Sequence, residues 1–241
     1  MSMSLTSPTT PPAKGPKQFG DGPLGVVTGG IYRWLVLTIL FAVACLPTWA
    51  LMLFIAPHPS NAILFALASI PIGPALSAGL YSIRAAGTDE GLTPALAFWR
   101  GYRLNWLDTL KYWVPALVVI GIIAWTIGFS DLAGIGTAYV IFLAVVALGV
   151  FLWAMHCIAI VSFFSFRPLD VARLGVFSLL TQGRATFGLL SLLIVAVAVL
   201  WWLEMPVLLA ALGGVWLWLW WRNLQGMLAQ IHHRFIAADD A

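Results

Sequence analysis

The residues best equipped for chemistry are few. His156 and Cys157 stand side by side in LWAMHCIAI, and both side chains are metal ligands by type. Neighbours on a helix point about 100° apart, whereas two ligands on one helical face need i, i+4 spacing. The pair therefore reads as packing residues. His232 and His233, followed by Arg234 near the C-terminus, read as solvated or lipid-facing. Glu204 sits in the short stretch LEMP, where burial would favour its neutral form; a solvated acid in a turn is the plainer reading. A protease working inside a membrane would need a serine, or two aspartates, with partners on facing helices. No GxSxG, no such aspartate pair and no Gly-rich phosphate loop occurs. No catalytic residue, no metal ligand set and no cofactor is expected.

The elements that would have to hold any site are apolar throughout. The chain is 61% hydrophobic and 9% charged with a mean hydropathy of +0.97, where soluble domains are about a quarter charged. From Trp34 to Ile83 there is no Asp, Glu, Lys or Arg; Tyr112–Phe166 and Ala185–Trp221 hold one carboxylate each, Asp131 and Glu204. One helix crosses a bilayer with about 20 apolar residues, so each of these runs holds more than one crossing. The division predicts an all-α integral membrane protein of six transmembrane helices in three hairpins. The spans fall at about 31–56 and 62–86, 112–129 and 136–166, 185–203 and 206–223. Barrel strands do not fit, because the runs are continuously apolar and lack a period of two.

All twelve basic residues fall on one side of that arrangement. The positive-inside rule makes it the cytoplasmic side, with both termini there. The expected location is a plasma membrane, crossed several times. The net charge of +3 calls for anionic lipid headgroups and no nucleic acid. Cys45 and Cys157 lie inside spans and read as small apolar packing residues with no disulfide framework. Trp201, Trp202 and WLWLWW at 216–221 read as an aromatic belt, with a sugar-stacking platform as the less economical alternative.

Residues 1–26, rich in Ser, Thr, Pro, Gly and Lys, are expected to be disordered and not a cleaved signal; 27–236 form the six-helix domain and 237–241 a tail. Two inner segments are expected to be short helices lying in the membrane interface. In the first, Thr93 is the N-cap and Pro94 the first helical residue, and Leu96, Trp99, Arg103 and Trp106 share a face. The second starts near Pro168 and ends at Gln182 and Gly183. A third tail segment after the last hairpin suggests hairpin plus interfacial helix as a unit used three times.

The second span is interrupted by Pro71, Gly73 and Pro74 in ASIPIGPALSAGLYSIR, and the first by Pro47. Proline removes an N–H and leaves a carbonyl of the preceding turn without its partner. Lipid cannot satisfy it, so residues 69–77 should face protein or a cavity, with Ser69 and Ser77 as candidate partners, and Thr48 beside Pro47. Either the broken pair builds a solute site near the midplane, or the prolines kink helices whose Gly73, Ala75, Ala78 and Gly79 offer a close-packing surface. The absence of charge favours the second.

The string IPIGPALSAGLYSIR, with GGIYRW at 29–34 before it and FWRGYRLNW at 98–106 after it, resembles the YesL-like family of bacterial membrane proteins of unknown function. The motif resemblance covers about residues 27–110, and the remainder follows by hydropathy pattern. It marks Pro71, Gly73, Pro74, Tyr81, Trp99, Arg103 and Asn105 without giving them roles. It implies a bacterial plasma-membrane protein, non-enzymatic, accessory to carbohydrate uptake of the ABC type or to its regulation. On that expectation Trp99, Arg103, Asn105 and Trp106 are the partner-binding candidates, and the partners are the bilayer, ABC importer subunits or a second copy of the chain. The alternative is an autonomous transporter of a small uncharged solute that uses the proline-broken helices one and two.

Overall fold

The computed structural model describes residues 23–87, 93–203 and 206–231, and every regular element among them is helical. The expected disordered segment lies almost wholly outside the described residues, as do the tail, Glu204, His232 and His233. The helices are α1 (Pro23–Ala44), α2 (Leu46–Phe54), α3 (Ala62–Ala68), α4 (Ile72–Ala85), α5 (Pro94–Gly128), α6 (Thr137–Phe163), α7 (Pro168–Thr181), α8 (Gly183–Leu203) and α9 (Pro206–Ile231). Three stretches are long and apolar enough to cross a membrane: Pro59–Ala85, Pro94–Gly128 and Thr137–Phe163. Two bent pairs qualify if each is one span: α1 with α2, bent by 44°, and α7 with α8, bent by 87°.

Local chemistry explains most boundaries. Pro47 stands in the first turn of α2, where its missing N–H costs least, and the chain bends at Cys45 just before it. The turn APHPSN closes on itself: Asn61 Nδ2 donates to the Ala56 carbonyl at 3.0 Å, and Ser60 N donates to His58 Nδ1 at 3.2 Å. Thr93 caps α5 through Oγ1, which accepts from Leu96 N, with Pro94 next. Pro168 opens α7, and the chain leaves helical geometry at Gln182 before α8.

Two boundaries differ from expectation: α9 runs on past residue 223 to Ile231 without a separate segment, and α5 begins before its expected span. The segment before residue 112 is not a separate interfacial helix; α5 is a single 35-residue helix that runs through Pro115. Nothing between Pro94 and Val114 interrupts helical geometry, and Asp108 and Lys111 add an i, i+3 ion pair at 2.6 Å. At 1.5 Å per residue α5 is about 52 Å long, more than the about 30 Å of hydrocarbon that one crossing needs. The helix expected from Pro168 to Gln182 is present as α7, set almost perpendicular to α8. It is docked by Tyr112 OH on the Pro168 carbonyl at 3.0 Å and Trp153 Nε1 on the Ala172 carbonyl at 3.1 Å.

The bundle is solid at one end. From Ala154 to Ile160 all of α6 is buried, surrounded by Leu80, Phe98, Leu189, Leu217, Trp220 and Leu224. Basic side chains gather at this end and terminate helices: Arg84 Nη1 donates to the Phe163 carbonyl at the end of α6, and Arg33 Nη1 to the Ala86 carbonyl beyond α4. Cations at helix C-termini complement both the free carbonyls and the dipole. His58 and Asp131 occupy the turns at the opposite end, where His58 meets Phe129 edge-on.

Candidate functional site

The proline break in the second apolar stretch is the natural centre of any site. Between Ala68 and Ile72 the chain takes one tight turn: Ile70 N reaches the Leu67 carbonyl at 3.1 Å and Ile72 N the Ser69 carbonyl at 3.2 Å. The Leu67 carbonyl, orphaned by Pro71, is thus taken by a shorter-range bond. The decisive partner from outside is Trp113, whose Nε1 donates to the Ser69 carbonyl at 3.0 Å. Ser69 Oγ turns back to the Phe65 carbonyl at 2.9 Å. A side chain of α5 therefore covers the break, and Gly73 allows it: a Cβ there would lie 2.6 Å from Trp113 Cδ1.

Ser77 does not serve the break. It is fully buried and joins three helices, since Asn105 Nδ2 donates to Ser77 Oγ at 3.2 Å and Ser77 and Ser162 share a bond of 2.7 Å. Ser162 Oγ also bonds the Ile158 carbonyl at 2.7 Å. With one proton per hydroxyl, the chain that satisfies all four groups runs Asn105 to Ser77 to Ser162 to the carbonyl. Asn105 is thereby turned inward, away from Trp99, Arg103 and Trp106, which lie on the exposed face of α5.

Other marked residues divide between packing and surface. Tyr81 packs on Gly101, where a Cβ would meet Tyr81 Cβ at 2.7 Å, and Pro74 is buried between helices. Pro47 is exposed, and Thr48 beside it is buried with Oγ1 unpartnered. Trp99 touches Phe98 and Tyr102 edge-on, which fixes its ring while leaving it 40% exposed.

Beside the break lies a half-open cavity of about 620 Å³, within the size range of ligand pockets. Ser69, Ile72 and Trp113 form one wall, and Leu192, Leu212 and Trp216 belong to the wall from α8 and α9. Its polar atoms are already engaged, since Trp216 Nε1 donates to the Leu192 carbonyl at 3.3 Å and Ser69 and Trp113 bond as above. Among the described residues no charged side chain lines it. Such a space accepts hydrocarbon and rejects sugar, because each hydroxyl stripped of water without a new partner costs about 1–3 kcal/mol.

His156 Nε2 lies 3.1 Å from Thr186 Oγ1, and Thr186 Oγ1 donates to the Leu179 carbonyl at 3.2 Å. The hydroxyl proton being used, the imidazole must carry its proton on Nε2, and the contact braces the elbow between α7 and α8. Cys157 Sγ points to the Val171 carbonyl at 3.8 Å and to Gly175. Among the described residues no three His, Cys, Asp or Glu gather as a metal site.

Sequence reasoning missed Trp113, Ser162 and the pair Gly213–Gly214 that seats α9 against Phe41, Trp34 and Thr38 of α1. The signal for the last was present as adjacent small residues in an apolar run. Comparison of the chain with known protein-family models, curated proteins and solved structures gives no match.

Proposed function

We propose that this is a non-enzymatic, six-span bacterial plasma-membrane protein with both termini in the cytoplasm, accessory to carbohydrate uptake of the ABC type. Its resemblance to the YesL-like family supplies the carbohydrate context. The observation that carries the docking role is the exposed ridge on the first half of α5. Leu96, Trp99, Arg103 and Trp106 project there, Trp99 and Trp106 being 40% and 44% exposed. This half of α5 extends past the length needed for a crossing, and aromatic residues with arginine are the side chains enriched where proteins dock. The apolar cavity adds support by exclusion, since it offers a sugar no hydrogen-bond partner. Asn105, the fourth candidate, donates to Ser77 on the inner side of the same helix and supports the ridge from behind.

The test is affinity purification from native membranes with identification of the proteins retained. Importer permease or ATPase subunits should accompany the native chain, and Trp99→Ala with Arg103→Ala should reduce their recovery about tenfold or more, as for loss of a docking hot spot. Equal recovery with both variants would overturn the assignment of the ridge. A second reading, autonomous transport of a small uncharged solute, is favoured by the cavity beside the broken helix, and its wall narrows the solute to an apolar one. Uptake of such a solute by proteoliposomes containing only this chain would favour it over the accessory role.

A further inference from the structure

A second cavity, of about 560 Å³, opens between the start of α8 and the second half of α9. Its lining includes Gln182, Arg184, Arg222, Asn223 and Gln225, and among the described residues no carboxylate. The amides are committed: Asn223 Nδ2 donates to the Ala185 carbonyl at 2.7 Å, Gln225 Nε2 to the Trp221 carbonyl at 3.3 Å, and Gln182 Nε2 to Gln230 Oε1. The two guanidinium groups are not. Among the described residues the ion pair is Lys111–Asp108, which involves neither, and Arg222 rests over the Trp218 ring at 5.6 Å. Two uncompensated arginines in one cleft call for an anion with several acceptor oxygens.

What distinguishes this cleft from any basic surface is its neighbour. Leu219 lines both this polar cavity and the apolar cavity beside the proline break, so the two adjoin along α9. From Arg222 the apolar wall continues along α9 to Leu212, ten positions away, which at 1.5 Å per residue is about 15 Å. That is about half of the 30 Å hydrocarbon layer, hence the depth of one leaflet. Trp218, exposed beside Arg222, is of the residue type enriched at the boundary of headgroup and hydrocarbon. A polar anion site and an apolar slot one leaflet deep, joined end to end, match one class of ligand.

We propose that the cleft between α8 and α9 binds an anionic glycerophospholipid, with its phosphate on Arg184 and Arg222 and one acyl chain in the apolar cavity. Neither reading of the protein's function is needed for this. A free phosphate would use the arginines alone and leave the apolar slot without a role. The lipid uses both.

The experiment is native mass spectrometry of the full chain released from detergent micelles with phosphatidylglycerol or phosphatidylcholine of identical acyl chains. The native chain should prefer phosphatidylglycerol by about 30-fold, the effect of two basic residues at a membrane surface. Arg184→Gln with Arg222→Gln, both exposed positions, should bring that preference below about threefold, at most one residual basic contact. Ala196→Phe, which fills the apolar cavity, should weaken both lipids together and leave their ratio unchanged. Equal binding of the two lipids by the native chain would overturn the proposal without any variant. So would unaltered binding in Ala196→Phe, or competition by glycerol 3-phosphate as effective as by the lipid.

Discussion

Gly73→Ala should destabilise the folded bundle by about 2–3 kcal/mol, the upper part of the range for overpacking a filled interior. An added Cβ would stand 2.6 Å from Trp113 Cδ1, 2.7 Å from Cγ and 3.1 Å from Cβ. Those atoms include the root of the side chain, so no rotation of a distal group clears them. Trp113 is also held in place: its Nε1 is bonded to the Ser69 carbonyl, and its ring meets Phe151 edge-on. The methyl group must therefore push α4 away from α5 or break the bond that covers the proline turn. Thermal unfolding in detergent should show a midpoint lowered by about 5–10 °C, at about 2–4 °C per kcal/mol for a chain of this length. Trp113→Phe keeps most of the bulk and removes the donor, and should cost about 1 kcal/mol. Trp113→Ala should cost about 3–5 kcal/mol, yet combined with Gly73→Ala it should cost less than the sum, because the clash has lost its second partner. Strict additivity would mean that Gly73 is small for some reason other than Trp113.

That pair also marks how far the sequence could be read. Pro71 announces a break by its own chemistry, and the requirement that the break face protein follows from the solvent alone. Which protein group covers it does not follow, because Trp113 is 44 positions away and nothing local points from one to the other. Helix starts at Pro94 and Pro168 were legible for the same local reason as the bend at Cys45: capping residues and prolines act within one turn. The continuity of α5 was not, because its polar first half and apolar second half suggest two environments while no residue between them ends a helix. In α6 the apolar residues surround the axis, so no periodicity distinguishes the buried stretch Ala154–Ile160 from the exposed Tyr139, Phe142 and Val145. The use of Arg33 and Arg84 as terminators of other helices was not legible either, because it depends on the packing.

Replacing Ser77 tests whether the polar seam positions the exposed ridge of α5. Ser77→Ala removes the acceptor of the Asn105 amide, while Ser162 keeps the Ile158 carbonyl, so one donor is stranded. Interhelical hydrogen bonds in apolar surroundings are worth about 0.6–1.7 kcal/mol, and a loss of about 1 kcal/mol is expected. Ser77→Leu strands the same donor and inserts bulk at a position with no exposure, so overpacking adds its own 1–3 kcal/mol and the total should reach about 3–4 kcal/mol. The distinction reaches beyond stability. Asn105 sits among Trp99, Arg103 and Trp106 in sequence but on the opposite face of the same helix, where its bond to Ser77 ties α5 to α4. Asn105→Leu with Ser77→Ala leaves no stranded amide and should recover most of the stability lost by Ser77→Ala, since removing both partners is cheaper than removing one. If the bond also orients the ridge, that double variant should unfold at nearly the native temperature yet recover fewer partner proteins than the native chain. Native recovery with native stability would show that packing alone, through Phe98 and the Tyr81–Gly101 contact, holds the ridge in place.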